Sequence, residues 1–102
     1  MANFLVRIAL LGVTDNDDSY AELDNLLLHY DFTRSILGAE GHEYALPPGT
    51  YDGESTMEAD ELRVELEDAI EDSLETRFSI LVVERTASSW AGLAPFETAP
   101  ED

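Results

Sequence analysis

The stretch "NFLVRIALL", residues 3–11, alternates with a period of two. Phe4, Val6, Ile8 and Leu10 fall on one side of an extended chain, and Leu5, Arg7, Ala9 and Leu11 on the other. Both sides are largely apolar, so such a strand must be covered twice, which puts it at the centre of a sheet. "RFSILVVER", residues 77–85, repeats the pattern with Phe78, Ile80 and Val82 opposite Leu81 and Val83. A chain of 102 residues is one domain with a modest core, so few other elements can cover these two strands.

The intervening sequence supplies them. Ser19 and Glu22 read as a capping box, followed by a helical stripe of Leu23, Leu26, Leu27 and Tyr30 to about residue 30. "FTRSIL" and "HEYAL" read as a hairpin around "GAEG", closed by a loop "PPGTYDGES". Ser55 and Glu58 read as a second capping box, with Ala59, Leu62, Leu66, Ala69, Ile70 and Leu74 as the apolar stripe behind it. The order is βαββαβ, an α+β chain of the ferredoxin-like class. It predicts a four-stranded antiparallel sheet with two helices on one face, since right-handed crossovers put both on the same side. The domain is expected over residues 1–86. Residues 87–102 form a partly packed tail anchored by Trp90, Leu93 and Phe96, with its last residues mobile. The other sheet face needs a cover, and self-association through the sheet or a strand edge as a homodimer is expected, with this tail as the competing cover.

Charge narrows the function. Acids number 23 against five arginines and no lysine, for a net charge of −18. Such a surface repels nucleic acid and anionic lipid and attracts basic surfaces. The charge is uneven: residues 54–75 alone carry −9. The absence of cysteine removes disulfides, thiolate metal sites and cysteine nucleophiles together. The opening "MANFLVRIALLGV" is short and lacks a leading basic region, so neither a signal peptide nor a membrane span is expected, and the protein is expected in the cytoplasm.

Catalytic and metal motifs do not assemble. "DNDDSYAE" offers Asp15 and Asp17, but a calcium loop starting at Asp15 needs glycine and glutamate where Tyr20 and Leu26 stand. It reads as the acidic start of a helix. His29 and His42 have no partner at ligand spacing, and Ser35, Ser88 and Ser89 lack a glycine elbow. Arg7, Arg34, Arg63, Arg77 and Arg85 are scattered and form no basic stripe. No catalytic residue, metal site or cofactor is expected.

The acidic helix remains. "EADELRVELEDAIEDSLE", residues 58–75, holds nine carboxylates and one arginine. Glu58, Glu61, Glu65, Asp68, Asp72 and Glu75 form a row at spacings of three and four, while Asp60, Glu67 and Glu71 flank the apolar stripe. Like charges four apart each cost a helix roughly 0.2–0.5 kcal/mol, so stability alone would not select this pattern. Nine charges over roughly 25 Å of helix come close to the ~3.4 Å per charge of one DNA strand. A well-solvated helix exterior is the plain alternative.

Phe32-x-Arg34-x-Ile36, Tyr44-x-Leu46-Pro47 with Tyr51, and the final strand running toward Trp90 resemble a family of small phage and bacterial proteins near the ghost-toxin antitoxin GhoS. The resemblance implies a Cas2-like ferredoxin fold, a homodimer and, for the antitoxin, RNA cleavage. Cas2-type proteins carry an aspartate at the end of the first strand. Here that stretch reads "ALLGV", Asp15 stands beyond it, and no site residue carries over.

The expected function is a non-catalytic acidic binding protein, phage- or mobile-element-borne, that inhibits a nucleic-acid-binding partner by imitating DNA. An anti-CRISPR or similar anti-defence inhibitor fits, with a basic partner such as a CRISPR effector subunit and no direct contact with nucleic acid or membrane. The nine carboxylates of residues 58–75 are its expected contacts. A GhoS- or Cas2-like endoribonuclease or antitoxin is the first alternative, and an acidic housekeeping protein of a salt-adapted cell the second.

Overall fold

A computed structural model of the chain describes residues 2–14, 17–38 and 41–86. The elements run β1 (Ala2–Leu10), α1 (Asp18–Leu28), β2 (Phe32–Thr33), β3 (Ser35–Leu37), β4 (Glu43–Ala45), β5 (Thr50–Ser55), α2 (Ala59–Ser73) and β6 (Phe78–Glu84). Strands β2, β5, β1 and β6 lie side by side in that order as one antiparallel sheet, and β3 pairs with β4 as a separate hairpin. The protein is a mixed α+β domain with a four-stranded antiparallel sheet and two helices. No helix among the described residues is long and apolar enough to cross a membrane.

Alternation in β1 is realised as read. Phe4, Val6, Ile8 and Leu10 are buried, and Val6 stands opposite Tyr51 of β5 and Val82 of β6. This side packs in one cluster with Tyr20, Leu23 and Leu27 of α1 and with Leu62, Leu66, Ile70 and the following Leu74 of α2. Both helices therefore cover the same face of the sheet. Burying each large aliphatic side chain is worth roughly 1.5–3 kcal/mol, several times one like-charge clash on the outside of α2. The core decides that α2 forms.

Two expectations about the sheet are corrected. The third strand of the main sheet is β5, within the stretch read as the loop "PPGTYDGES". Its turn signals belong to the entrance: Gly49 has φ +81° and Thr50 N–H donates to the Pro47 carbonyl at 3.0 Å, a turn of type II with Pro48 ahead of the glycine. Gly53 sits inside the strand because a Cβ there would meet the Asp31 carbonyl oxygen at 2.5 Å and the Phe32 ring at 2.7 Å. The expected hairpin exists as β3 and β4, but it lies outside the main sheet, which keeps only Phe32–Thr33 of "FTRSIL".

The caps shift too. Asp17, not Ser19, caps α1, its Oδ1 accepting the Ser19 N–H at 2.9 Å. Glu58, not Ser55, caps α2, and the Glu61 carboxylate accepts the Glu58 N–H at 3.1 Å. Ser55 instead holds the turn into the helix, accepting the Met57 N–H at 3.0 Å. Beyond Leu28 the chain leaves α1 through Asp31, at φ 67°, and enters β2.

The opposite sheet face carries Asn3, Leu5, Arg7 and Ala9 of β1 beside Ser79, Leu81 and Val83 of β6. Leu81 and Val83 are 58% and 40% exposed. Trp90, Leu93 and Phe96, the expected anchors of the tail, lie outside the described residues.

Candidate functional site

Helix α2 turns its apolar stripe inward and its acids outward. Of the nine carboxylates named from the sequence, Glu58, Asp60, Glu61, Glu65, Asp68, Glu71, Asp72 and Glu75 are exposed, and Glu67 is half-buried. Arg63, the sole base of the helix, pairs with Glu67 four residues on, Nη1 to Oε1 at 2.5 Å. That pair lies off the main row, so it leaves Glu61, Glu65, Asp68 and Asp72 without a compensating cation from their own helix.

The ends of the row differ from its middle. Glu58 is the cap, and Glu61 accepts its N–H, so these two also serve the helix start, where negative charge opposes the dipole. At the other end Leu74 is already extended, at φ −121° and ψ 142°, and Glu75 follows it outside the helix. Glu71 and Asp72 occupy the last turn, where the dipole disfavours acids and where no base is present. The 15-residue helix is about 22 Å long. Seven carboxylates lie within it, one of them paired, which leaves about one free charge per 4 Å.

A groove of about 630 Å³ runs between the end of α2 and the start of β6, lined in part by Glu67, Glu71, Glu75 and Arg77. With Arg63 and Arg77 beside three glutamates, its lining is of mixed charge, so the acidic surface does not continue into it.

Helix α1 adds less to this surface than its composition promises. Asp18 and Glu22 are exposed, and Asp17 is engaged as the cap, its carboxyl held below the usual range by the Ser19 backbone N–H and hydroxyl. Asp24 points elsewhere. Its Oδ1 accepts the Tyr51 hydroxyl at 2.5 Å and its Oδ2 the Arg34 guanidinium at 3.2 Å, while Arg34 also donates to the Leu46 carbonyl. Burial, then the Asp24 hydrogen bond and charge, push the Tyr51 phenol up from its ordinary value. This network ties α1, β5 and the β3–β4 hairpin together. The acidic surface is centred on α2, with α1 contributing only its first turns.

Sequence reading missed the Tyr51–Asp24–Arg34 network, although Arg34 and Tyr51 are both in the stretch behind the family resemblance. An arginine and a tyrosine separated by 17 positions carry no spacing signal until β5 is recognised as a strand.

The remaining candidates stay apart. His29 Nδ1 bonds the Asn25 carbonyl oxygen at 2.8 Å, one turn back on its own helix. Among the described residues no group of three or more His, Asp or Glu side chains is placed to hold a metal ion. Asp15, Ser88 and Ser89 lie outside the described residues. Compared with protein-family models and with curated protein sequences, the chain matches none.

Proposed function

We propose that the protein is a non-catalytic binding protein that presents α2 as an imitation of a phosphate backbone and so blocks a basic, nucleic-acid-binding partner. The observation that carries this reading is the exposed row Glu61, Glu65, Asp68 and Asp72, left unneutralised because Arg63 pairs with Glu67 off the row. A helix selected for stability would place bases at i+4 and in its last turn, and α2 does neither along this row. The free charge of about one per 4 Å approaches the ~3.4 Å per charge of one DNA strand. A cytoplasmic inhibitor of a defence system, of the anti-CRISPR kind and carried by a phage or mobile element, is the role in which such a surface is useful.

The topology we favour is ferredoxin-like. Its support is the strand order: taken in chain order, the main-sheet strands lie second, third, first, fourth, so each helix connection passes over one intervening antiparallel strand. That same order favours the runner-up, a GhoS- or Cas2-like endoribonuclease.

The test is competition. Immobilised protein should retain a basic DNA-binding protein that duplex DNA displaces, and the variant with Glu61, Glu65, Asp68 and Asp72 all changed to lysine should not retain it. Retention by the variant equal to that of the wild type, or indifference to DNA, would overturn the reading.

A further inference from the structure

We propose that a notch on the outer side of α2 takes the aliphatic stem and cationic head of a single arginine or lysine side chain. The basic partner is anchored there, an assignment that rests on the reading of α2 given above. The notch measures about 490 Å³ and is lined by Met57, Asp60, Glu61, Val64 and Glu65. Helical spacing builds it. Asp60 and Glu61 follow Met57 by three and four residues, and Val64 and Glu65 by seven and eight, so the five stack on one side over two turns.

Val64 is the part of this lining that the core does not use. Met57 precedes the Glu58 cap, has its N–H held by Ser55 Oγ, and packs its buried part against the core. Val64 belongs to no core cluster and is 45% exposed. It stands three residues after Glu61 and four before Asp68, so an apolar, β-branched side chain interrupts a surface of acids. Glutamate or alanine would serve a solvated helix exterior better, since both form helix more readily than valine. An imitation of phosphates alone has no use for Val64 either.

Charge selects the occupant. Three of the lining residues are carboxylates and none is basic. Among the described residues the ion pairs of Arg34, Arg63 and Arg85 go to Asp24, Glu67 and Asp52, so none neutralises Asp60, Glu61 or Glu65. Glu61 gives Oε1 to the Glu58 N–H and keeps its second oxygen. An apolar floor under an acidic rim matches a side chain with a methylene stem and a charged end, as in arginine and lysine. The groove at the far end of α2 makes no such choice, because Arg63 and Arg77 stand beside its glutamates.

Methyl NMR of the full chain tests the site with small probes, n-butylguanidinium standing in for arginine and n-butylammonium for lysine. At fixed ionic strength one or both should shift the Met57 and Val64 methyls saturably, about tenfold more tightly than guanidinium or ammonium, which lack the stem. Val64→Ser, an exposed change between residues of similar helix propensity, should abolish that advantage and leave binding of the bare ions unchanged. Asp60→Asn with Glu65→Gln should weaken every cation. Equal binding of stemmed and bare ions, equal shifts with 1-butanol, or indifference to Val64→Ser would overturn the site. The competition assay separates the anchor from the reading it rests on. Val64→Ser should weaken retention of the basic DNA-binding protein about three- to tenfold. If wild type and Val64→Ser retain it equally while the lysine variant does not, the anchor falls and the reading of α2 stands. Saturable n-butylguanidinium binding by a protein that retains no basic partner would support the notch as a cation site and overturn the partner assigned to it.

Discussion

Tyr51 donates its hydroxyl to Asp24 across 27 positions of sequence, fixing β5 to α1 at 2.5 Å. The tyrosine is fully buried and the aspartate is also held by Arg34, so one carboxylate of the acidic first half of the chain is committed to the fold. Tyr51→Phe should therefore destabilise the protein by about 1.5–3 kcal/mol, the range for a hydrogen bond to a charged group, with little loss of packing. Urea titration of the two proteins measures this, and equal midpoints would contradict it.

The same bond sets a pH dependence. The folded phenol is raised above the ordinary value of 10.0, so the native state keeps a proton that the unfolded state gives up in alkali. Its contribution is complete below pH 10.0 and declines above it as unfolded tyrosine ionises. Wild-type stability should fall more steeply above that pH than that of Tyr51→Phe. Parallel stability curves for the two proteins would remove the linkage.

Gly53 offers a test of the sheet. Alanine there would press on the Asp31 carbonyl and the Phe32 ring, and neither can move without shifting the β2–β5 pairing. Gly53→Ala should cost about 1–3 kcal/mol, the usual range for overpacking. An unchanged melting temperature would show that β2 yields freely.

How far the fold was legible follows from these elements. β1, β6 and α2 announce themselves through periodicity, because burial of one face leaves a regular apolar trace. β5 did not, since "TYDGES" contributes one large core side chain, Tyr51, and its Gly53 and Asp52 read as turn residues although one answers steric contact and the other pairs with Arg85. The acids of α2 were legible as a row. Which acids are free was not: the Arg63–Glu67 pair, the capping role of Glu58 and Glu61, and the inward turn of Asp24 depend on helix bounds and a long-range partner.

Catalysis separates the leading reading from its runner-up. Purified protein should leave RNA and DNA intact with magnesium or manganese present or absent. Turnover that disappears in Asp15→Ala would restore the endoribonuclease.

The central claim is that the exposed row of α2 exists to meet a basic surface. The most direct measurement pairs melting temperature with partner affinity across a salt series, for the wild type and for the variant carrying lysine at Glu61, Glu65, Asp68 and Asp72. The substitution removes like-charge repulsion but also the Glu61 carboxylate that accepts the Glu58 N–H, so the two effects offset and the variant's stability should stay within about 1 kcal/mol of the wild type. Its binding should be sharply weakened, and wild-type binding should fall steeply as salt rises, because steering and complementarity are lost. A variant that binds as tightly as the wild type, or a wild type that unfolds when salt is withdrawn and binds no basic partner, would contradict the account and leave α2 as a solvated surface.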